Sequence, residues 1–388
     1  MKIPLIKSSF SHEAETREAL AAFIRSAPRF SMDHQCRVFE TSFARVQERK
    51  FAVFVSSGSM ANAVLVQALL NLGRLKRGDR VGVSAVTWPT NVMPLMQAGL
   101  APVVLDCDMR TLNVPCSELE EARDLQAMFL TNALGFCSDL DRIREYCDTK
   151  EILLIEDNCE SLGSRFRGKL LGNFGLASTF SFFVGHHLST IEGGMICTDD
   201  DALYDMLILV RAHGWDRNLS SERQRQLRSL YGVDDFFARY TFYDVAFNAR
   251  PTEISGFLGN HQLPFLEEII RKREENFWHF QAAVAHSRNC VQLEVGHTDR
   301  ISNFAMPVVC RSLEAFHSLM GRFERAGVEI RPIVAGNISQ HPFFQKYVQP
   351  AHCPQASIIH AQGFYFPNNP ELLPEEIQML CDLLMQPL

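Results

Sequence analysis

Over its first 215 residues the chain alternates short runs of β-branched and aromatic residues with stretches whose apolar positions recur at helical spacing. The run FAVFVSS (51–57) stops at GSMANAVLVQALL, whose Gly-Ser opening and apolar spacing predict a helix start. DRVGVSAV then precedes a helix begun by Pro89, PVVLDCD precedes CSELEEARD, AMFLTNAL precedes DLDRIREYC, and EILLIEDN follows. Parallel strands need a long crossover, usually a helix, so this rhythm predicts an α/β domain with a mostly parallel sheet covered by helices. The rhythm changes after FNARPTEISG (247–256). A long charged helix over 263–286, short apolar runs such as FAMPVVC, the helical stretch LEAFHSLMGRFERAG and a last helix from near Pro374 predict a smaller α+β unit. We expect residues 1–254 to form the large unit, with the N-terminal segment packing on the small one, and residues 255–388 to form the small unit.

Composition narrows the class. With 388 residues, 46% of them hydrophobic and 21% charged, the chain reads as a soluble globular protein with room for two units. A net charge of −7 offers no basic surface to nucleic acid. No window approaches the roughly 18 uninterrupted apolar residues of a membrane span, and the start MKIPLIKSSFSHEAETREAL lacks a long apolar segment, so a cytoplasmic protein without membrane association is expected. The eleven cysteines are scattered singly from Cys36 to Cys381, and the pair nearest in sequence is Cys107 and Cys116. Without a CxxC, this pattern predicts buried thiols in a reducing compartment, with no metal and no iron–sulfur cluster.

Parallel sheets place their chemistry at the carboxyl ends of strands, which selects four turns. In SSGSMAN, Ser57, Gly58 and Ser59 lie where a strand meets a helix, and free amides at the positive end of the helix dipole make an anion site or a plain serine cap. In VTWPTN, Trp88 ends a strand, where an indole could stack on a flat cofactor ring or belong to the core. In IEDNCES, Glu156 and Asp157 end a strongly apolar strand. A carboxylate buried there needs a partner, so a cation is expected, and Asp157 could instead bond a ring nitrogen or cap a helix. The fourth turn lies in FSFFVGHHLSTIEGGM (180–195), where an apolar strand runs into His186 and His187, then Glu192 and paired glycines. An anion turn, a stacking aromatic, an acid for a pyridinium nitrogen and a turn ending in EGG, in that order, describe the pocket of a pyridoxal phosphate enzyme.

From about residue 10 to residue 380 the chain resembles the DegT/DnrJ/EryC1/StrS sugar aminotransferase family of fold type I pyridoxal phosphate enzymes. In that family the turn similar to FFVGHHLSTIEGG carries the lysine that holds the cofactor as a Schiff base, six residues before the glutamate of EGG. Counting back six from Glu192 reaches His186. The segments EDNCES, HHLSTIEGG, RAHGWDRNL, FNARPTEISG and RPIVAGN resemble, in the same order, a branch of the family that removes the 3-hydroxyl of a 4-keto-6-deoxy sugar nucleotide with pyridoxamine 5′-phosphate. The resemblance implies phosphate contacts from Gly58, Ser59 and Ser181, stacking by Trp88, and Glu160 and Ser161 at the cofactor edge. It also implies that Asn248 reaches the phosphate from the other subunit, which requires a homodimer with shared sites. Arg331 could hold a glutamate carboxylate by a bidentate pair or, as a loop arginine, form a surface or structural ion pair. His187 and His213 could touch substrate or serve as hydrogen-bonded structural histidines.

An imidazole is not a primary amine and cannot form an imine with the cofactor aldehyde, so the cofactor is expected to be noncovalent. The chain has eight lysines, and none falls between Lys169 and Lys272. A detached cofactor can remain as the amine, with L-glutamate restoring it. His186, whose ordinary pKa lies near neutrality, then suits the roles of base and acid in turn. Rival readings are a sugar aminotransferase, which would want the missing lysine; an iron–sulfur-dependent dehydratase, which would want clustered cysteines; and a binding protein that keeps the cofactor without catalysis. No motif names the nucleotide or the hexose, and segment 216–245 differs from the branch it otherwise resembles.

Overall fold

The computed structural model describes residues 2–387. Seven strands form the large sheet: β1 (Phe51–Val55), β2 (Arg80–Ser84), β3 (Ala101–Leu105), β4 (Ala127–Thr131), β5 (Leu153–Asp157), β8 (Ala177–Ser181) and β9 (Gly194–Thr198), with a two-stranded ribbon of β6 (Arg165–Phe166) and β7 (Lys169–Leu170) between the fifth and sixth of these. Their order is β1-β9-β8-β5-β4-β2-β3. The pairs β2–β3, β2–β4, β4–β5 and β5–β8 are parallel, and β9 alone runs against both its neighbours. The sheet is therefore mostly parallel, as the alternating rhythm predicts.

Alternation along each strand splits the core into two layers. Ala127 and Phe129 of β4 enter one apolar cluster with Val53, Leu65 and Ile155, while Met128 and Leu130 enter a second with Leu105, Leu140 and Leu154. Every residue of β4, β8 and β9 is buried because helices or further aromatic side chains cover both faces. Each fully buried aliphatic or aromatic side chain contributes about 1.5–3 kcal/mol, so the sheet's centre is the rigid frame from which its strand ends project.

The small unit holds a second sheet of β10 (Ala305–Val309), β11 (Arg331–Pro332) and β12 (Gly363–Pro367), antiparallel in the order β10-β12-β11. Phe280 of the helix Leu266–His286 and Phe323 of the helix Leu313–Arg325 pack edge-on or tilted against Phe364 and Phe366 of β12. The chain's first residues lie on this unit: Ile3 bridges to Val328, the Leu5 amide donates to Glu329 Oε2 (3.0 Å), and Lys7 Nζ donates to the Glu371 carbonyl (3.0 Å). The junction expected at 254/255 falls inside the helix Glu253–Gln262. That helix is tied to the large unit's helix His34–Val46, because the Glu253 carboxylate accepts from the amides of Asp33 (2.7 Å) and Gln35 (2.8 Å).

Candidate active site

The carboxyl ends of β1, β2, β4, β5 and β8 open into a cavity of about 550 Å³, closed from above by the small sheet and by Leu5 and Ile6. Its floor is the start of the helix Gly58–Asn71. Ser57 caps that helix: its hydroxyl accepts from Met60 N (3.1 Å) and its carbonyl from Ala61 N (2.9 Å). The first two helical amides, those of Gly58 and Ser59, are left as donors at the positive end of the dipole. Glycine is required at 58, since a Cβ there would lie 2.8 Å from Ser181 Cβ and 3.2 Å from Cys159 Sγ. Gly194 of the EGG sequence is required for the same turn, since its Cβ would lie 2.3 Å from the Ser57 carbonyl oxygen.

The two acids of β5 point to opposite faces, as neighbours on a strand must. Glu156, fully buried, accepts from the amides of Phe174 (2.7 Å), Gly175 (2.8 Å) and Gly172 (2.8 Å) and from Asn132 Nδ2 (3.2 Å), which pins the loop before β8. Asp157, only 4% exposed, faces the cavity. Its Oδ2 accepts from Asn62 Nδ2 and Asn91 Nδ2 (2.9 Å each) and its Oδ1 from Cys159 N (2.9 Å). The cation expected beside this pair of acids is absent: among the described residues neither carboxylate forms an ion pair. Asp157 is thus a buried negative charge with only neutral donors, and the cavity is where a positive partner would sit.

The turn after β8 carries the histidines. His186 lies in the cavity between Phe183 (ring centroids 5.8 Å apart) and Phe304 (5.2 Å). Its Nδ1 is buried without a partner, which leaves Nε2 as the ring nitrogen able to exchange a proton. Burial first, then the Arg273 charge, pull its pKa down to about 4, against a smaller opposing effect of the Ser181 backbone. At neutral pH the ring is an uncharged base. Glu160, also in the cavity, accepts from the Leu134 amide (3.0 Å). Burial, helped by the Asp157 charge, raises it to about 7 against that bond, so it keeps its proton through much of the acid range. From the small unit Phe304, Glu329, Arg331 and Tyr365 complete the wall; Arg331 is paired with Glu329 and half exposed, and burial pushes the Tyr365 hydroxyl up to about 12.

Eight of the residues singled out from sequence meet here: Gly58, Ser59, Trp88, Asp157, Glu160, Ser181, His186 and Arg331. Three do not. His187 is turned the other way, buried, with Nε2 against the Ser302 carbonyl (3.1 Å), in the position of a structural histidine. His213 sits at positive φ (61°) edge-on to Trp215 (4.9 Å), outside the cavity. Asn248 is exposed on the segment bridged to Ala212 and does not reach its own chain's cavity. Ser161 is buried and donates to Asn158 Oδ1 (2.9 Å) rather than lining the cavity. Sequence reading passed over Asn62, Asn91, Phe304, Glu329 and Tyr365. Of these only Asn62 carried a signal, a polar residue four positions from Gly58 inside an otherwise apolar helix stripe.

The residues fit a phosphorylated pyridine. Free helix amides beside Ser181 suit a phosphate, the uncompensated Asp157 carboxylate suits a protonated ring nitrogen, and Trp88, 54% exposed at the rim, suits a ring face. No lysine lines the cavity. Residues 11–385 match the profile of the DegT/DnrJ/EryC1/StrS aminotransferase family. The GDP-4-keto-6-deoxy-D-mannose 3-dehydratase of Escherichia coli O55:H7 is 36% identical over 363 residues, covering 92% of this chain and 93% of that one. A crystal structure of GDP-4-keto-6-deoxymannose-3-dehydratase with a trapped PLP-glutamate geminal diamine superposes with a TM-score of 0.90 at 34% identity, covering 99% of this chain and 100% of that one. A mutant of the same enzyme with bound GDP-perosamine does so at 0.90 and 33%, with the same coverage. The chain belongs to the DegT/DnrJ/EryC1/StrS aminotransferase family.

Proposed function

We propose that the protein is a pyridoxamine 5′-phosphate-dependent 3-dehydratase of a nucleotide-linked 4-keto-6-deoxy sugar, with L-glutamate restoring the amine form of the cofactor. The observation that carries this reading is an uncharged histidine, not a lysine, in the cavity beside a carboxylate suited to a pyridinium. Glutamate and a GDP-linked sugar are bound by the similar dehydratase, and we carry both classes of ligand to this chain.

When bound, the cofactor supplies a primary amine for the substrate ketone and a protonated ring that withdraws electrons from the bonds being broken. Asp157 keeps that ring nitrogen protonated, because its own charge has no other counterion. Gly58, Ser59 and Ser181 hold the phosphate and Trp88 covers the ring. His186 takes a proton at Nε2 and returns it to the departing 3-hydroxyl, which leaves as water. The electron balance is closed by glutamate: its oxidation to 2-oxoglutarate and ammonia supplies the two electrons that turn the sugar's CHOH into CH₂. Arg331, whose guanidinium is half exposed at the mouth, is the group we assign to the glutamate carboxylate.

Asn248, exposed and outside its own cavity, supports a homodimer in which each subunit completes the other's phosphate site. A single chain also leaves Leu230, Tyr231, Phe236, Phe237, Tyr240, Phe242 and Val245 more than half exposed, the kind of surface a partner covers. The test is direct. Glutamate added to the protein with pyridoxal phosphate must convert the aldehyde spectrum to that of the amine with release of 2-oxoglutarate, and a GDP-linked 4-keto-6-deoxyhexose must then lose the mass of one oxygen. Conversion without deoxygenation returns the protein to the aminotransferases, and neither signal reduces it to a binding protein.

A further inference from the structure

We propose that Arg273 is the positioning residue of His186: its guanidinium clamps the turn that carries the imidazole, and its unbalanced charge favours the uncharged ring. The inference rests on the reading of His186 as the base. Arg273 comes from the helix Leu266–His286, on the far side of the turn from the sheet, and is 5% exposed. Its Nη2 donates to the His186 carbonyl oxygen (2.9 Å). Its Nε and Nη1 are buried without a partner, and among the described residues no carboxylate pairs with it. Burial alone pulls even this guanidinium down to about 9.

A buried cation held by one neutral carbonyl is a costly way to make one hydrogen bond, since any uncharged donor would serve the carbonyl without the desolvation. The charge itself therefore needs a use, and the nearest titratable ring gives one. His186 faces several charged groups. Asp157 on the sheet side and Glu192 at the end of its own turn line the same cavity, as does Glu160, which is protonated below about 7 and so carries no charge where the ring titrates. Of the cations, Lys272 is paired with Glu268 (2.9 Å) and Arg331 with Glu329, while His187 is driven uncharged by its own burial. Arg273 is left as the unpaired cation that opposes the acids. Burial already keeps the ring uncharged at neutral pH, and the Arg273 charge extends that state to lower pH, so the base stands ready to accept a proton over a wider range.

The experiment uses cofactor-free protein labelled with ¹³C at histidine, the His186 signal being the one lost in His186→Asn. In the wild type this ring titrates near 4 and stays uncharged from pH 5 to 8. Arg273→Gln, which keeps an amide donor for the carbonyl, and Arg273→Met, which keeps the volume, both raise the midpoint by about one unit or more, a tenfold gain in imidazolium at a given pH. Arg273→Lys, which keeps the charge, leaves the midpoint within about half a unit of the wild type. Replacing a buried unpaired charge by an apolar side chain is usually tolerated, so at least the methionine variant folds. Either folded charge-free variant titrating with the wild type, or the lysine variant rising as far as they do, overturns the inference. Turnover then separates the two readings: the acid limb of kcat must move up with the NMR midpoint. A midpoint that moves while the limb stays leaves the Arg273 coupling intact and removes His186 as the base.

Discussion

Replacing Glu156 by Gln and, separately, Asp157 by Asn sets two adjacent carboxylates against each other. Glu156 is met by four donors, three of them backbone amides that cannot turn away. A glutamine oxygen in place of Oε1 keeps Phe174 N and Gly175 N, but its NH₂ then faces the Gly172 amide and Asn132 Nδ2, donor against donor. Two hydrogen bonds to a charged acceptor are lost, at about 1.5–3 kcal/mol each, so Glu156→Gln costs about 3–6 kcal/mol of stability. Asp157 is met by one backbone amide and two side-chain amides, and the Oδ1 atoms of Asn62 and Asn91 are themselves buried without partners. The new side chain keeps its carbonyl for those two amides and turns its NH₂ to Cys159 N, so one hydrogen bond to a charged acceptor is lost, at about 1.5–3 kcal/mol, while a desolvated charge without a counterion is removed. The two effects offset, so Asp157→Asn costs about 2 kcal/mol or less. Cofactor binding reverses the order. Loss of the charge-assisted bond to the ring nitrogen weakens pyridoxal phosphate binding about 10- to 100-fold in Asp157→Asn, while Glu156→Gln, below its melting range, binds as the wild type does. Urea unfolding of the cofactor-free proteins and absorbance titration with pyridoxal phosphate give both numbers. Equal losses of stability, or wild-type affinity in Asp157→Asn, would refute the division of labour between the two faces of β5.

The parallel frame was legible because each strand is closed by a marked turn and followed by a capped helix, as at Val55, Ser57 and Gly58. The reversal of β9 was not. All five of its residues are buried, so it reads like a parallel strand, and the 12 residues between β8 and β9 are too long for a tight hairpin and equally suited to a crossover. The helix Ser221–Tyr231 within segment 216–245 was also missed, for a physical reason: none of its residues is buried, so no apolar stripe betrays it, and only the Ser220 cap and the positive φ of Gly232 mark its ends. In the site, residues at strand ends were readable by position, and family likeness supplied their roles. Those that close the cavity from β12 and from the residues just before β10 and β11 were not, since Phe304, Glu329 and Tyr365 lie more than 100 positions from Glu192 and carry no spacing that relates them to it. His187 shows the limit of reading a doublet: neighbours in a turn point apart, and the Ser302 carbonyl that claims it is 115 residues away.

Three further outcomes follow from the same geometry. His186→Lys puts a primary amine in the cavity, so pyridoxal phosphate becomes attached in a form that borohydride fixes to the protein, and dehydration is lost; turnover retained in that variant would dismiss the proposed base. If sites are shared, the protein has twice the 44.0 kDa mass of one chain by light scattering, and mixing inactive His186→Asn and Asn248→Asp subunits in equal amounts restores about a quarter of the wild-type sites, because each hybrid dimer has one intact site; no recovery would place Asn248 outside the partner's site. The last outcome concerns Glu160, whose raised pKa gives stability a pH slope of predictable sign. With a folded value of about 7 against an ordinary 4.5, the folded chain holds a proton that the unfolded chain releases between those limits. Its contribution is therefore complete below about pH 4.5 and is lost as pH climbs through 7. Glu160→Gln abolishes that slope, so its stability relative to the wild type rises across the same window and is level above it. His186 bends the curve the other way, its lowered value withdrawing stability as pH falls from 6.5 towards 4, and it does so in both proteins, so it cancels in the difference. Urea midpoints of the two proteins at pH 5 and pH 8 decide the matter: a difference that stays constant between them means that the cavity does not hold Glu160 in its protonated form.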